Sequence, residues 1–228
     1  MMYKKQFNVN LSDDIIANGN IIITGNDPTT NFDVISSIVN QLLKNDATIE
    51  YITNNTITSD FANVVNMHNS KELLKVLAKY DKLMTNRLTA MSNMEDIIIH
   101  KRVKFSESII LIIDNLDSLI KDMTSNTISE IMNIITRFAR LSPSIGIMTI
   151  ISFNGNVFSN GMLYKQGLIS IFNNTENIIV TSNIDSNTSK YFLRDAIDLT
   201  LPKNFGLLYT HGDSYSLFNL KNIDLTLI

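Results

Sequence analysis

Two stretches of this 228-residue chain put residues where phosphate chemistry is done in other proteins. The first is Ile21-Ile22-Ile23-Thr24 followed by Gly25-Asn26-Asp27-Pro28-Thr29-Thr30-Asn31-Phe32 and a helical pattern. A strand, then Gly, four residues and Gly-Lys-Ser/Thr opening a helix, cradles phosphates with backbone N–H groups and the helix N-terminus. Here the spacing is kept and the side chains are not. Gly25 stands at the first glycine and Thr30 at the second, where a Cβ and a branched side chain oppose the backbone conformation a phosphate nest needs.

Asn31 stands where the lysine would answer the terminal phosphates. The missing attraction is about 4 kcal/mol for a charge pair at roughly 4 Å and an effective dielectric of about 20. Phe32 stands where a hydroxyl would ligate magnesium, and Asp27 adds a negative charge to a loop that would have to embrace an anion. The second stretch is Ser108-Ile109-Ile110-Leu111-Ile112-Ile113, ending in Asp114-Asn115. An acidic pair at such a strand end holds a magnesium-bound water and polarises the attacking one. Asp114 keeps the first ability, whereas the amide of Asn115 accepts no proton from water. Asp117, two residues further on, is a displaced substitute.

These positions are carried by a readable frame. The β-branched runs at 20–24, 48–53, 108–113, 147–152 and 177–181 are continuously apolar, as strands covered on both faces are, and predict a mostly parallel sheet. A terminal pair, Gly206 to Thr210 and Ser214 to Phe218, predicts an antiparallel hairpin turning at His211-Gly212-Asp213. Helical spacing is read at Asp33 to Lys44, Ser70 to Met91, Ser125 to Leu141 and Lys190 to Ala196, the third stopped by Pro143. The expectation is one α/β domain over residues 1–228, with no repeat and no linker.

In order and spacing the chain resembles the FtsK/SpoIIIE-type ATPase domains. Phe138-Ala139-Arg140-Leu141 and Gly146 to Asn154 are similar to that family's helix and sensor strand, with Phe153-Asn154 where a Thr-Gln pair stands. Thr181-Ser182-Asn183-Ile184-Asp185-Ser186-Asn187 resembles its Ser-x-x-Asp-Ser-Arg segment, with Asn187 at the arginine, and Lys203-Asn204-Phe205-Gly206 resembles the stretch before its closing strands. The resemblance runs from about residue 20 to residue 218 and implies a RecA-like P-loop NTPase fold. It implies a degenerate nucleotide site at Gly25, Thr29, Thr30, Asn31, Asp114 and Asn115, with no catalytic residue and no metal site.

Among relatives, the pattern is most similar to the C-terminal ATPase module of type VII secretion coupling proteins, the EssC/EccC group. That resemblance implies a module of a longer, membrane-anchored chain at the cytoplasmic face of the cell membrane. It implies no cofactor beyond weak ATP and magnesium binding. The implied partners are exported helical, WXG100-like proteins and neighbouring ATPase modules of the same chain. The alternative is a divergent ATP-binding or ATP-hydrolysing translocase domain that uses Asp114 and Thr29 or Thr30.

Composition narrows the field. Nineteen Lys plus Arg against 22 Asp plus Glu give a net charge of −3, the wrong sign for binding that rests on phosphate neutralisation, so nucleic acid is not expected as a partner. With no cysteine there is no thiolate chemistry and no disulfide framework. No apolar run approaches the roughly 20 residues of a membrane span. His68, His100 and His211 share no ligand spacing. The ten methionines read as core fillers, or, if exposed together, as an adaptable groove for a partner helix. Arg137 and Arg140 read as a solvated helix face, or as a finger toward a neighbouring module. The plainer reading of 25–32 is a strand-to-helix turn with Asp27, Pro28 and Thr29 as turn and cap residues. The plainer reading of Asp114 and Asp117 is that they face solvent at strand ends.

Overall fold

A computed structural model describes residues 19–42, 47–54, 66–92, 108–154, 165–175, 177–191, 198–210 and 214–220. The strands are β1 (Ile21–Gly25), β2 (Thr48–Ile52), β3 (Asn66–His68), β4 (Ile109–Ile113), β5 (Ile147–Asn154), β6 (Asn177–Val180), β7 (Phe205–Thr210) and β8 (Ser214–Asn219). The helices are α1 (Pro28–Leu42), α2 (Leu73–Ser92), α3 (Leu116–Ile120), α4 (Ser125–Leu141), α5 (Lys165–Asn173) and α6 (Ser186–Ser189), with a 3-10 turn at Ser142–Ile145.

The eight strands of the described residues join one sheet in the order β3-β2-β4-β5-β1-β6-β7-β8. The pairs from β3 to β6 are parallel, and β7 and β8 extend the sheet antiparallel. Strand β5 lies between β4 and β1, so the ends of the two strands that carry the candidate chemistry flank its own. This is the mostly parallel, RecA-like P-loop arrangement expected.

Strict alternation along each strand divides the core. Ile22, Leu111, Ile113, Ile151, Phe153 and Ile178 face α2, α4 and α5 on one side of the sheet. Ile21, Ile23, Ile110, Ile112, Ile150 and Ile179 face α1 on the other. A sheet buried on both faces favours apolar residues on both sides of each strand, which is why β1 and β4 read as isoleucine-rich runs, while β2 and β5 also bury Glu50, Thr149 and Ser152. Helix α4 buries Ile128, Ile131, Ile135 and Phe138 at helical spacing. It starts at Thr124, whose side chain accepts from the Thr127 N–H at 3.3 Å. It gives way to the 3-10 turn at Ser142, which ends at Gly146 with φ 73°, a left-handed conformation that glycine adopts without strain.

Several expectations shift. Helix α1 begins at Pro28, five residues before Asp33, and this difference decides the site geometry. Helix α2 begins at Leu73 instead of Ser70. The late helix lies at Ser186–Ser189, ahead of the predicted start at Lys190, because Asp185 caps it by accepting from the Thr188 N–H at 2.8 Å. Its predicted remainder at 192–196 lies outside the described residues, as do His211-Gly212-Asp213, His100 and the N-terminal segment. Strand β3 and helices α3 and α5 carry no signal singled out in the sequence; each is short and its pattern ambiguous. Among the described residues no helix is long and apolar enough to cross a membrane.

Candidate functional site

The parallel strands deliver Gly25, Thr53, Asp114, Ser152, Asn154 and Thr181 to one edge of the sheet, the carboxyl ends where open α/β sheets place their ligands. What stands there is a set of side chains bonded to one another.

Between β1 and α1 only Asn26 and Asp27 lie outside regular structure. Asp27 precedes Pro28, which suits the first helical position because its missing N–H is not needed there and its φ is already helical. The Asp27 carboxylate accepts from the Thr29 N–H at 3.0 Å and from Thr30 Oγ1 at 2.6 Å. The hydrogen bond from Thr30, joined by those of Thr29, holds its carboxyl below the ordinary value against the opposing effect of burial. An anion therefore already sits at the N-terminus of α1, and it belongs to the chain. A loop N–H is engaged as well, since that of Asn26 donates to Ser182 Oγ at 2.7 Å. Among the described residues positive φ falls at Gly19, Gly146, Asn115 and Asn204, none of them in 25–32, so the loop lacks the right-to-left-handed alternation of an anion nest.

Asn31, in the first turn of α1, is 2% exposed and points into the sheet edge. Its Nδ2 donates to the Gly25 carbonyl at 3.2 Å and the Phe153 carbonyl at 3.3 Å, and its Oδ1 accepts from Thr181 Oγ1 at 2.6 Å. One amide thus ties together the ends of β1, β5 and β6. Gly25 is required by this contact: a Cβ there would stand 1.8 Å from Thr181 Oγ1. Its glycine character follows from close packing without any phosphate. Phe32 packs its ring against the core on the α1 face, so position 32 offers no ligand oxygen.

Asp114 is buried, 3% exposed, which corrects the solvent-facing reading. Its Oδ1 accepts from Ser152 Oγ at 2.7 Å, and its Oδ2 from Thr53 Oγ1 at 3.1 Å and the Tyr51 hydroxyl at 3.2 Å. Burial, and then the Asp114 charge beside it, push the Tyr51 phenol up, so it stays a neutral donor. Asn115 adopts φ 56°, a left-handed conformation in which Asn is enriched. Its side chain accepts from the Ser118 N–H and starts α3, while its own N–H donates to Ser152 Oγ at 2.6 Å. Asp117 accepts from the Asn154 N–H at 2.9 Å and holds the end of β5. Asn154 is exposed and Phe153 is buried against Phe172.

The structure therefore brings Gly25, Thr29, Thr30 and Asn31 to one cluster, with Asp114 and Asn115 in an adjacent one. Ser152 bonds both Asp114 and Asn115, and the Phe153 carbonyl next to it on β5 accepts from Asn31. Arg137 is held by Asp81 at 2.7 Å and Thr85 across α2, away from this edge. The partners missed from the sequence are Thr181, Ser152 and Thr53. Each is a single hydroxyl at a strand end, and only the sheet order shows that they converge. Tested against a magnesium triphosphate, the residues do not fit it. Position 31 carries an uncharged amide already satisfied, position 32 an apolar ring, and the helix N-terminus a carboxylate.

Of the two readings of the methionines, core filling is the one seen among the described residues, and no exposed methionine groove is found among them. Met84 and Met132 are core, and the large exposed hydrophobics are Met67 (39%) and Leu141 (36%) alone. Between α2 and α4 lies a groove lined by Lys82, Asn126, Glu130, Asn133 and Arg137 over Ala78 and Ile134.

No family profile matches this sequence, and no curated protein matches it. Solved structures do. The pCW3 conjugation coupling protein TcpA, in monomer form with ATPγS, is 20% identical at a TM-score of 0.71, over 90% of this chain and 60% of that one. The cytoplasmic domain of the type VII secretion ATPase EccC from Thermomonospora curvata is 12% identical at a TM-score of 0.62, over 89% of this chain and 25% of that one. EssC ATPases 2 and 3 from Geobacillus thermodenitrificans are 14% identical at a TM-score of 0.58, over 90% and 40%. The chain thus spans less than two thirds of each of these proteins, and it shares with them the fold of their ATPase modules.

Proposed function

We propose that this chain is a non-hydrolysing, FtsK/SpoIIIE-like module of a type VII secretion coupling protein, in which the RecA-like frame serves recognition of exported proteins and regulation of an adjacent ATPase module. The observation that carries this reading is Asn31. Where a P-loop needs a free ammonium facing open space, a buried amide closes the ends of β1, β5 and β6 on one another. The Asp27 carboxylate at the start of α1 adds repulsion toward any incoming phosphate. The fold likeness to EccC and EssC supports the secretion setting. On this reading nucleotide is handled by neighbouring modules, no metal or cofactor is resident, and the module works at the cytoplasmic face of the membrane through protein contacts.

The likeness to TcpA, solved with ATPγS, favours a second reading, an ATP-binding translocase domain that uses Asp114 and Thr29 or Thr30. Equilibrium titration with a fluorescent ATP analogue and magnesium separates the two. The first reading expects no saturable binding into the millimolar range. Micromolar affinity that is lost in Asp114→Ala overturns it in favour of the second.

A further inference from the structure

We propose that β3 is a detachable edge strand, latched to the sheet by the contact between His68 and Glu50 and able to open while the rest of the sheet stays closed. Strand β3 has three residues and, among the described residues, pairs only with β2, in the register Glu50↔Asn66, Tyr51↔Met67 and Ile52↔His68, with one further bond from the Thr53 N–H to the His68 carbonyl at 3.0 Å. Asn66 and Met67 are exposed and His68 is half-buried, and none of the three belongs to either face of the core. A strand with no apolar burial is held by backbone pairing alone unless a side chain adds a tie, and such elements open at free energies well below global unfolding.

Glu50 supplies that tie. It is a carboxylate at the centre of β2, 2% exposed, on the face covered by α2. His68 Nε2 lies 2.5 Å from its Oε2, while Lys79 Nζ at 3.1 Å and the Tyr80 hydroxyl bond its Oε1. Glu72 Oε1 faces the other imidazole nitrogen of His68 at 3.9 Å. Leu111 of β4, the register neighbour of Glu50 on the inner side, is apolar. Lys79 and Tyr80 hold Glu50 in place from α2 whether or not β3 is docked, so the carboxylate is a fixed post and His68 is the movable half of the latch.

Native-state hydrogen exchange on the whole chain at neutral pH tests this. The amides of 66–68 and of Thr53 are expected to exchange through a local opening, with protection clearly below that of β4 and β5. In His68→Gln their protection is expected to fall a further tenfold or so, the size of one charge-assisted hydrogen bond. The protection of β4 and β5 should be unchanged. Glu50→Gln, which keeps an acceptor for Tyr80 but loses the charge, should act in the same direction. The proposal is overturned if the Thr53 and β3 amides exchange only with the whole sheet, if His68→Gln leaves them as protected as before, or if it lowers protection everywhere.

Discussion

Asn31 ties the start of α1 to the ends of three strands. Its amide makes three hydrogen bonds inside the sheet edge, and truncating it leaves the Gly25 and Phe153 carbonyls without this donor and Thr181 Oγ1 without this acceptor. Asn31→Ala is expected to lower stability by about 2 kcal/mol in urea unfolding. Asn31→Lys, which puts back the charge, should also destabilise, because the ammonium enters a buried pocket shaped for an amide. Asn115 makes the same point at the neighbouring strand. Asn115→Glu, which would supply a carboxylate for general-base work, forces a residue poorly suited to φ 56° and is expected to cost about 1 kcal/mol by the same measurement, whereas Asn115→Gly should be near neutral. Glu50 contributes to the acid limb of stability. Burial raises its carboxyl, but the bonds from Tyr80, His68 and Lys79 outweigh this and leave it below its ordinary 4.5. Its contribution is therefore complete above about pH 4.5 and is lost as the pH falls through the lower folded value. Urea midpoints measured from pH 7 to pH 3 should fall less steeply in Glu50→Gln than in the parent.

Among the elements, the connection from β1 to α1 decides the most. The sequence placed a helix here and left its start at Asp33, since apolar periodicity begins at Val34. The five residues before it are helical because Asp27 caps and Pro28 leads, a local signal that the sequence carries as the plainer reading of this loop. At this loop the capping reading and the phosphate-loop reading concern the same residues: the spacing is that of a P-loop, and the conformation is that of a capped helix. Asp27→Ala should lower stability by about 1 kcal/mol, read as a drop of a few degrees in Tm, by removing the acceptor for the Thr29 N–H and Thr30 Oγ1. The strands were readable because both faces of the sheet are buried and isoleucine runs leave few other assignments. Strand β3 was not readable, because three residues with exposed side chains carry no period at all, and α5 was not because nine residues of mixed pattern fit a strand as well as a helix.

For the molecule as a whole, element order carried the fold while single motifs carried little. The parallel register brings Gly25 beside Asn154 and Thr24 beside Val180, and that convergence of strand ends is what turns scattered hydroxyls and amides into one closed edge. No run of sequence announces that Thr181 meets Asn31 across 150 residues, so the partners of the site were hidden while its frame was plain. The central claim, that the chain's own groups fill the place of the triphosphate, is tested most directly by phosphate release from ATP and magnesium by the purified chain. The account predicts a rate indistinguishable from buffer. A steady turnover that disappears on changing Asn31 or Asn115 would contradict it.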